Sequence, residues 1–192
     1  MEHKQYDPDK QRTFVRELSG SYSLNDELAR LRSMPRVIKG EERKLDGGPQ
    51  QFNRHYVGPE DGLTQTLQIH LDEYAPGGRT QKHGHVNEAA FYILDGAGYE
   101  IHDGVRYDWK AGDVSIVHGN CVHQHFNASP NEPARVLVIK SKPMYVFMNM
   151  LFQRTVEKMP KTPSPTQGNF VPRDGETDYN HLPEQEVIGG RP

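Results

Sequence analysis

Two short runs hold the side chains best suited to chemistry, His83-Gly84-His85 and, forty residues on, His123-Gln124-His125. In an extended strand alternate residues share a face. His83 and His85 therefore project together, and so do His123 and His125. Two such strands laid side by side bring three or four imidazoles to one point. Imidazole is the commonest protein ligand for zinc, iron, copper and nickel, so a metal centre is the first chemistry to expect. A bound ligand also needs a wall. Gln68 and His70 occupy the polar face of an alternating stretch whose other face is Leu67, Ile69 and Leu71, which makes them candidate substrate-binding residues. Arginine pairs with carboxylates through two parallel hydrogen bonds. Arg79 is the candidate for that role, while Arg54 and Arg106 read as surface residues.

The elements that must position these groups are short strands. Turn signals recur at Pro76-Gly77-Gly78, Asp95-Gly96, Asp103-Gly104, Ala111-Gly112-Asp113 and Gly119-Asn120. Between them lie β-rich runs over 90–94, 98–102, 114–117 and 135–139, with a further strand expected over 64–71. Many short strands with such turns predict an antiparallel sandwich or small barrel. Phe91, Ile93, Val136 and Val138 read as wall packing, Cys121 as a buried thiol, and His102 and His118 as ordinary strand-end or turn residues. Ahead of the barrel, Phe14, Leu18, Leu24, Leu28 and Leu31 predict helix over 9–34, broken near Gly20 and ended by Pro35. A short strand is expected at Val37-Ile38 and a polar loop over 41–51. The division that follows is an N-terminal helical arm and loop over 1–45, a barrel over 46–153, and a Pro-rich C-terminal arm over 154–192.

Composition narrows the partners. The 192-residue chain has a net charge of -3 and no long basic run, which argues against nucleic acid. No apolar run is long enough to span a bilayer, and the polar first ten residues do not read as a signal peptide. Cys121 is the only cysteine, which fits a cytoplasmic location. Eight of the nine residues from Met144 to Phe152 are apolar. That segment is expected to be buried against the barrel or a second subunit, so a homodimer or higher homo-oligomer is expected. The tail beyond Glu157 is expected to lack fixed structure or to lie over a neighbouring chain.

Read together, the motifs resemble the cupin superfamily. Gly77 leads by five residues to His83-Gly84-His85, and Phe91 to Gly96 closes the first motif. Gly112-Asp113 opens the second, with His123 at its histidine position and Asn127 at its asparagine position. The resemblance implies an all-β fold, a single jelly-roll barrel, with His83, His85 and His123 binding the metal. The superfamily's usual glutamate ligand falls at Ala89, because Glu88 stands one residue early. One step along a strand turns a side chain to the opposite face, so Glu88 points away unless a bulge at Asn87 swings it back. In lacking this glutamate, and in His-x-His-x-Asn over 123–127, the chain is similar to the three-histidine cupin dioxygenases of the gentisate and salicylate ring-cleaving type. Acetylacetone-cleaving cupins also use three histidines.

The resemblance then implies a non-haem Fe(II) dioxygenase that cleaves a C–C bond in a hydroxylated aromatic acid or related chelating enol. Zn(II), Mn(II) and Ni(II) are the other ions such ligands accept. With no carboxylate on the metal, its full charge favours a small anionic chelating substrate. His125, on the face of His123, is the candidate catalytic acid/base. Two alternatives stay open: an O2-independent lyase, hydrolase or isomerase on a small organic acid, and a non-enzymatic ligand-binding module.

Overall fold

The computed structural model describes residues 25–173. The chain divides into two compact units, 1–37 and 38–192. In the first, α1 (Asn25–Ser33) carries Asp26 and Glu27 in its first turn and Arg30 and Arg32 in its last. Those charges complement the helix dipole. The expected helix over 9–24 lies outside the described residues.

The second unit is the predicted all-β fold. Its strands are β1 (Leu45–Gly47), β2 (Gln51–Val57), β3 (Gln68–Tyr74), β4 (Lys82–His85), β5 (Ala89–Asp95), β6 (Ala97–His102), β7 (Val105–Lys110), β8 (Val114–Val117), β9 (Val122–Asn127), β10 (Ala134–Lys140) and β11 (Gln153–Glu157), with helix α2 (Lys142–Phe147) before the last. One sheet runs β1-β2-β3-β10-β5-β8 and the other β11-β4-β9-β6-β7. The core joins Tyr74, Phe91, Ile93, Val117, Val136 and Val138 of the first sheet to Trp109 of the second, so the two sheets enclose it. Alternation assigns the faces: Ala134, Val136 and Val138 point inward on β10, and Ala89, Phe91 and Ile93 on β5.

Two glycines are needed where they stand. At Gly98 an added methyl would meet the Phe126 carbonyl oxygen and the Trp109 ring, so only glycine lets β6 pass between them. Asp103-Gly104 joins β6 to β7 with both φ values positive, 48° and 89°, the two-residue hairpin that matches strand twist.

Several expectations are corrected. The strand read over 64–71 begins at Gln68, and the Thr64 hydroxyl instead caps a loop by donating to the Leu67 carbonyl. Val37-Ile38 is not a strand, whereas the loop read over 41–51 contains β1. The apolar run 144–152 is not buried against the barrel: Phe147 and Phe152 are 57% and 67% exposed. Through residue 173 the tail lies over its own barrel. Gln167 Nε2 donates to the Pro49 carbonyl, Arg173 N donates to Glu73, and Phe170 packs on Phe52 over a second small core with Leu45 and Ala75. Among the described residues no helix is long and apolar enough to cross a membrane.

Candidate metal centre

His83 on β4 lies directly across from His123 on β9 in the antiparallel register, and alternation puts His85 on the same inner face. A nitrogen from each of these three rings lies within 4.8 Å of the others. The ring centroids are 4.3 to 5.4 Å apart. Each Nδ1 faces a main-chain carbonyl: Gln81 for His83 at 3.2 Å, Asn87 for His85 at 2.7 Å, Cys121 for His123 at 3.1 Å. A carbonyl only accepts, so each Nδ1 carries the proton and each Nε2 lone pair is left bare. The Nε2 atoms of His85 and His123 are buried with no hydrogen-bond partner. Such orphans are costly unless something binds there, and a divalent cation fits. Burial, followed by the nearby Lys140 charge, brings His83 down to about 3 and His85 to about 4. Burial also drives His123 well below the ordinary histidine value, with His125 and His83 adding to the effect. All three are neutral near pH 7, the state a metal ligand requires.

Among the described residues no carboxylate joins them. Glu88 is exposed, and Ala89 faces the core at the usual glutamate position. Residues 86–88 form the bend between β4 and β5, so it is this bend, not strand parity, that leaves Glu88 in solvent.

Beside the triad stands a pair the sequence only half suggested. His125 lies 5.3 Å from His123, ring to ring, and packs on Phe91 at 4.4 Å. Its Nδ1 is 3.3 Å from Glu100 Oε1. The other oxygen of Glu100 is 2.6 Å from His102 Nε2 and accepts from the Ser115 hydroxyl at 2.7 Å. Burial alone would raise this carboxyl, but the His125 charge and the hydrogen bonds of His125 and Ser115 outweigh it and bring Glu100 to about 2. His102 is therefore not the ordinary strand-end residue expected. It faces His123 across the β6–β9 register. The signal was present in sequence, because Glu100 and His102 alternate on one face of the run 98–102.

Gln68 and His70 lie buried on the inner face of β3. His70 Nε2 is 3.3 Å from Asp72, whose carboxylate accepts from Gln51 at 2.8 Å and from the Tyr74 hydroxyl. Burial raises Asp72 to about 6. Arg79 lies elsewhere. It bridges to Phe126, which stacks on the surface ring of Tyr99, and its guanidinium pairs with Glu157 at 3.1 Å in solvent. The carboxylate partner expected of a substrate is supplied by β11. Asn127, the motif asparagine, is a staple: its amide donates to the carbonyls of Tyr74, Ala75 and Glu132.

Residues 70–140 match the model of the cupin domain family. No curated protein sequence matches the chain. Among solved structures, salicylate 1,2-dioxygenase from Pseudoaminobacter salicylatoxidans, as its gentisate adduct, superposes with a TM-score of 0.52 at 16% identity, over 68% of this chain and 33% of that one. A variant of the same enzyme superposes at 0.53 and 15% identity over 80% of this chain and 44% of that one. A predicted oxalate decarboxylase from Thermotoga maritima, 21% identical, covers 55% of this chain and 97% of its own with a TM-score of 0.49. The chain thus spans less than half the length of the dioxygenase it resembles, and at these identities the likeness is one of fold. Over residues 70–140 the chain is thus similar to the cupin domain family, and the two facing antiparallel sheets and inward-facing histidines agree with that likeness.

Proposed function

We propose that the chain is a metal-dependent enzyme, a non-haem Fe(II) dioxygenase that cleaves a C–C bond in a hydroxylated aromatic acid or related chelating enol. The observation that carries this reading is the set of three bare Nε2 atoms with no carboxylate among them. Iron in that site would supply the redox chemistry that joins substrate and dioxygen, and Zn(II), Mn(II) or Ni(II) fit the same donors. Three neutral ligands leave the ion's double charge uncompensated by protein, which favours an anionic chelating substrate. His83, His85 and His123 hold one side of the site, and the packed aromatic wall of Phe91 and Tyr74 keeps water from the other. Glu100 lies 3.3 Å from His125 Nδ1 and orients the ring, which leaves Nε2 as the atom through which His125 would exchange a proton with the substrate. Gln68 and His70 are proposed to line the substrate's side of the pocket.

The test is anaerobic Fe(II) reconstitution, followed by air and a panel of hydroxylated aromatic acids that includes salicylate and gentisate. Oxygen uptake is expected with at least one member, and His123→Ala is expected to lose both bound iron and uptake. Absence of uptake with every member at stoichiometric iron would overturn the dioxygenase. Product formed without oxygen on Zn(II) or Mn(II) protein would point to Lewis-acid chemistry on the same ligands.

A further inference from the structure

One charged side chain inside the barrel has no task in the scheme above. Lys140 ends β10, where Ala134, Val136 and Val138 are buried on the inner face. The two-residue period carries that face on to Lys140. In the register Lys140 stands opposite Ala89 on β5 and opposite Gln68 on β3. Ala89 is where the superfamily places its glutamate, and a methyl there leaves room that a longer side chain would fill.

The ammonium is felt throughout the site. Its charge lowers the pKa values of His83 and His85 on the facing sheet, and those of His70 and His55 on its own. Among the described residues no carboxylate lies within ion-pair distance of it. Asp72 is the acidic group that favours its charged form, yet the Asp72 carboxylate is engaged by Gln51, Tyr74 and His70. Burial lowers Lys140 to about 8, so it remains mostly protonated at neutral pH. Such a cation calls for an anion.

We propose that Lys140 is the anion-binding group of this pocket, and that the ligand carries a carboxylate beyond the two oxygens it offers the metal. The proposal rests on the reading of the three histidines as a metal centre that chelates its substrate. It divides the work: the chelating oxygens go to the metal, and the remote carboxylate goes to the ammonium on the wall where the usual acidic ligand is missing. Gln68, whose Oε1 is buried without a partner, stands beside Lys140 to receive a hydroxyl of the same ligand.

The test compares two probes that share a chelate, catechol and 3,4-dihydroxybenzoate, by anaerobic calorimetry on Fe(II)-loaded protein. The wild type is expected to bind the carboxylated probe about tenfold more tightly, the scale of one hydrogen-bonded charge. Lys140→Met should abolish that preference, read as the ratio of the two affinities at matched iron loading, and Lys140→Arg should keep part of it. Equal affinities in the wild type, or a preference that survives in Lys140→Met, would overturn the anion site and leave the chelating metal centre standing. If neither catechol binds the loaded protein, the chelating reading fails instead. Benzoate titrated into metal-free protein then decides the anion site: binding lost in Lys140→Met supports it, and no Lys140-dependent binding overturns it.

Discussion

At the scale of single residues, the inner face of this barrel concentrates ionisable groups whose titrations oppose one another. Asp72 titrates at about 6 in the folded chain, above the ordinary 3.8. The native state therefore holds that proton more tightly, and Asp72's contribution to stability is full below pH 3.8 and lost as pH rises through 6. Glu100, at about 2 against 4.5, runs the other way: its contribution is full above 4.5 and lost as pH falls through 2. Unfolding by urea at pH 7 and at pH 4.5, on wild type and Asp72→Asn, separates them. The histidine contributions are common to both proteins and drop out of the difference. The wild type is expected to gain on the variant by about 2 kcal/mol on acidification, and a constant difference would show that Asp72 titrates normally. The triad was legible in the sequence because imidazole is distinctive and strand parity fixes its direction. Lys140 was not, because the strand was ended at Ile139 and one more residue is what carries the inward face to an ammonium. Glu100 escaped because an acidic residue in a strand ordinarily faces water, and only the cross-strand partners His125 and Ser115 reveal that it does not.

At the scale of elements, β5 both packs the core and limits the site. Phe91 is buried in the main core and against His125. Phe91→Ala is expected to cost about 3–5 kcal/mol, read as a lower denaturant midpoint at unchanged slope. A loss below about 1 kcal/mol would mean the barrel collapses onto the gap. Strands over 114–117 and near 89–95, 97–102 and 134–140 were readable because Gly and Asp-Gly turns bound them sharply. β1 and β2 were harder to read. Phe52 on the outer face of β2 is covered by Phe170 of the chain's own tail and Arg54 is buried as well, so their residues show no clean apolar and polar alternation. The start of β3 was misplaced because alternation continues through Thr64–Leu67, where a side-chain hydroxyl has already turned the chain into a loop.

At the scale of the whole molecule, the exposed apolar side chains of α2 and the segment after it, Phe147, Met148, Met150 and Phe152, form the patch from which self-association is expected. Sedimentation velocity should give a dimer or larger species. Phe147→Ser combined with Phe152→Ser should shift it toward monomer without changing the far-ultraviolet spectrum. A wild type that sediments as a monomer at tens of micromolar would exclude this surface as an interface. Sequence alone recognised the segment as too apolar for water, but whether its own barrel or another surface covers it depends on how α2 is set, which periodicity over six residues does not determine.

The placement of β11 has a consequence for how the protein is made. β4, which bears His83 and His85, is flanked by β9 on one side and by β11 on the other, with Gln153 opposite His85 and Thr155 opposite His83. Until the ribosome has added those late residues, the two imidazoles ride on an open edge. A nascent chain halted before Gln153 would therefore emerge with its barrel largely drawn but with the strand that bears the two imidazoles paired on one side alone.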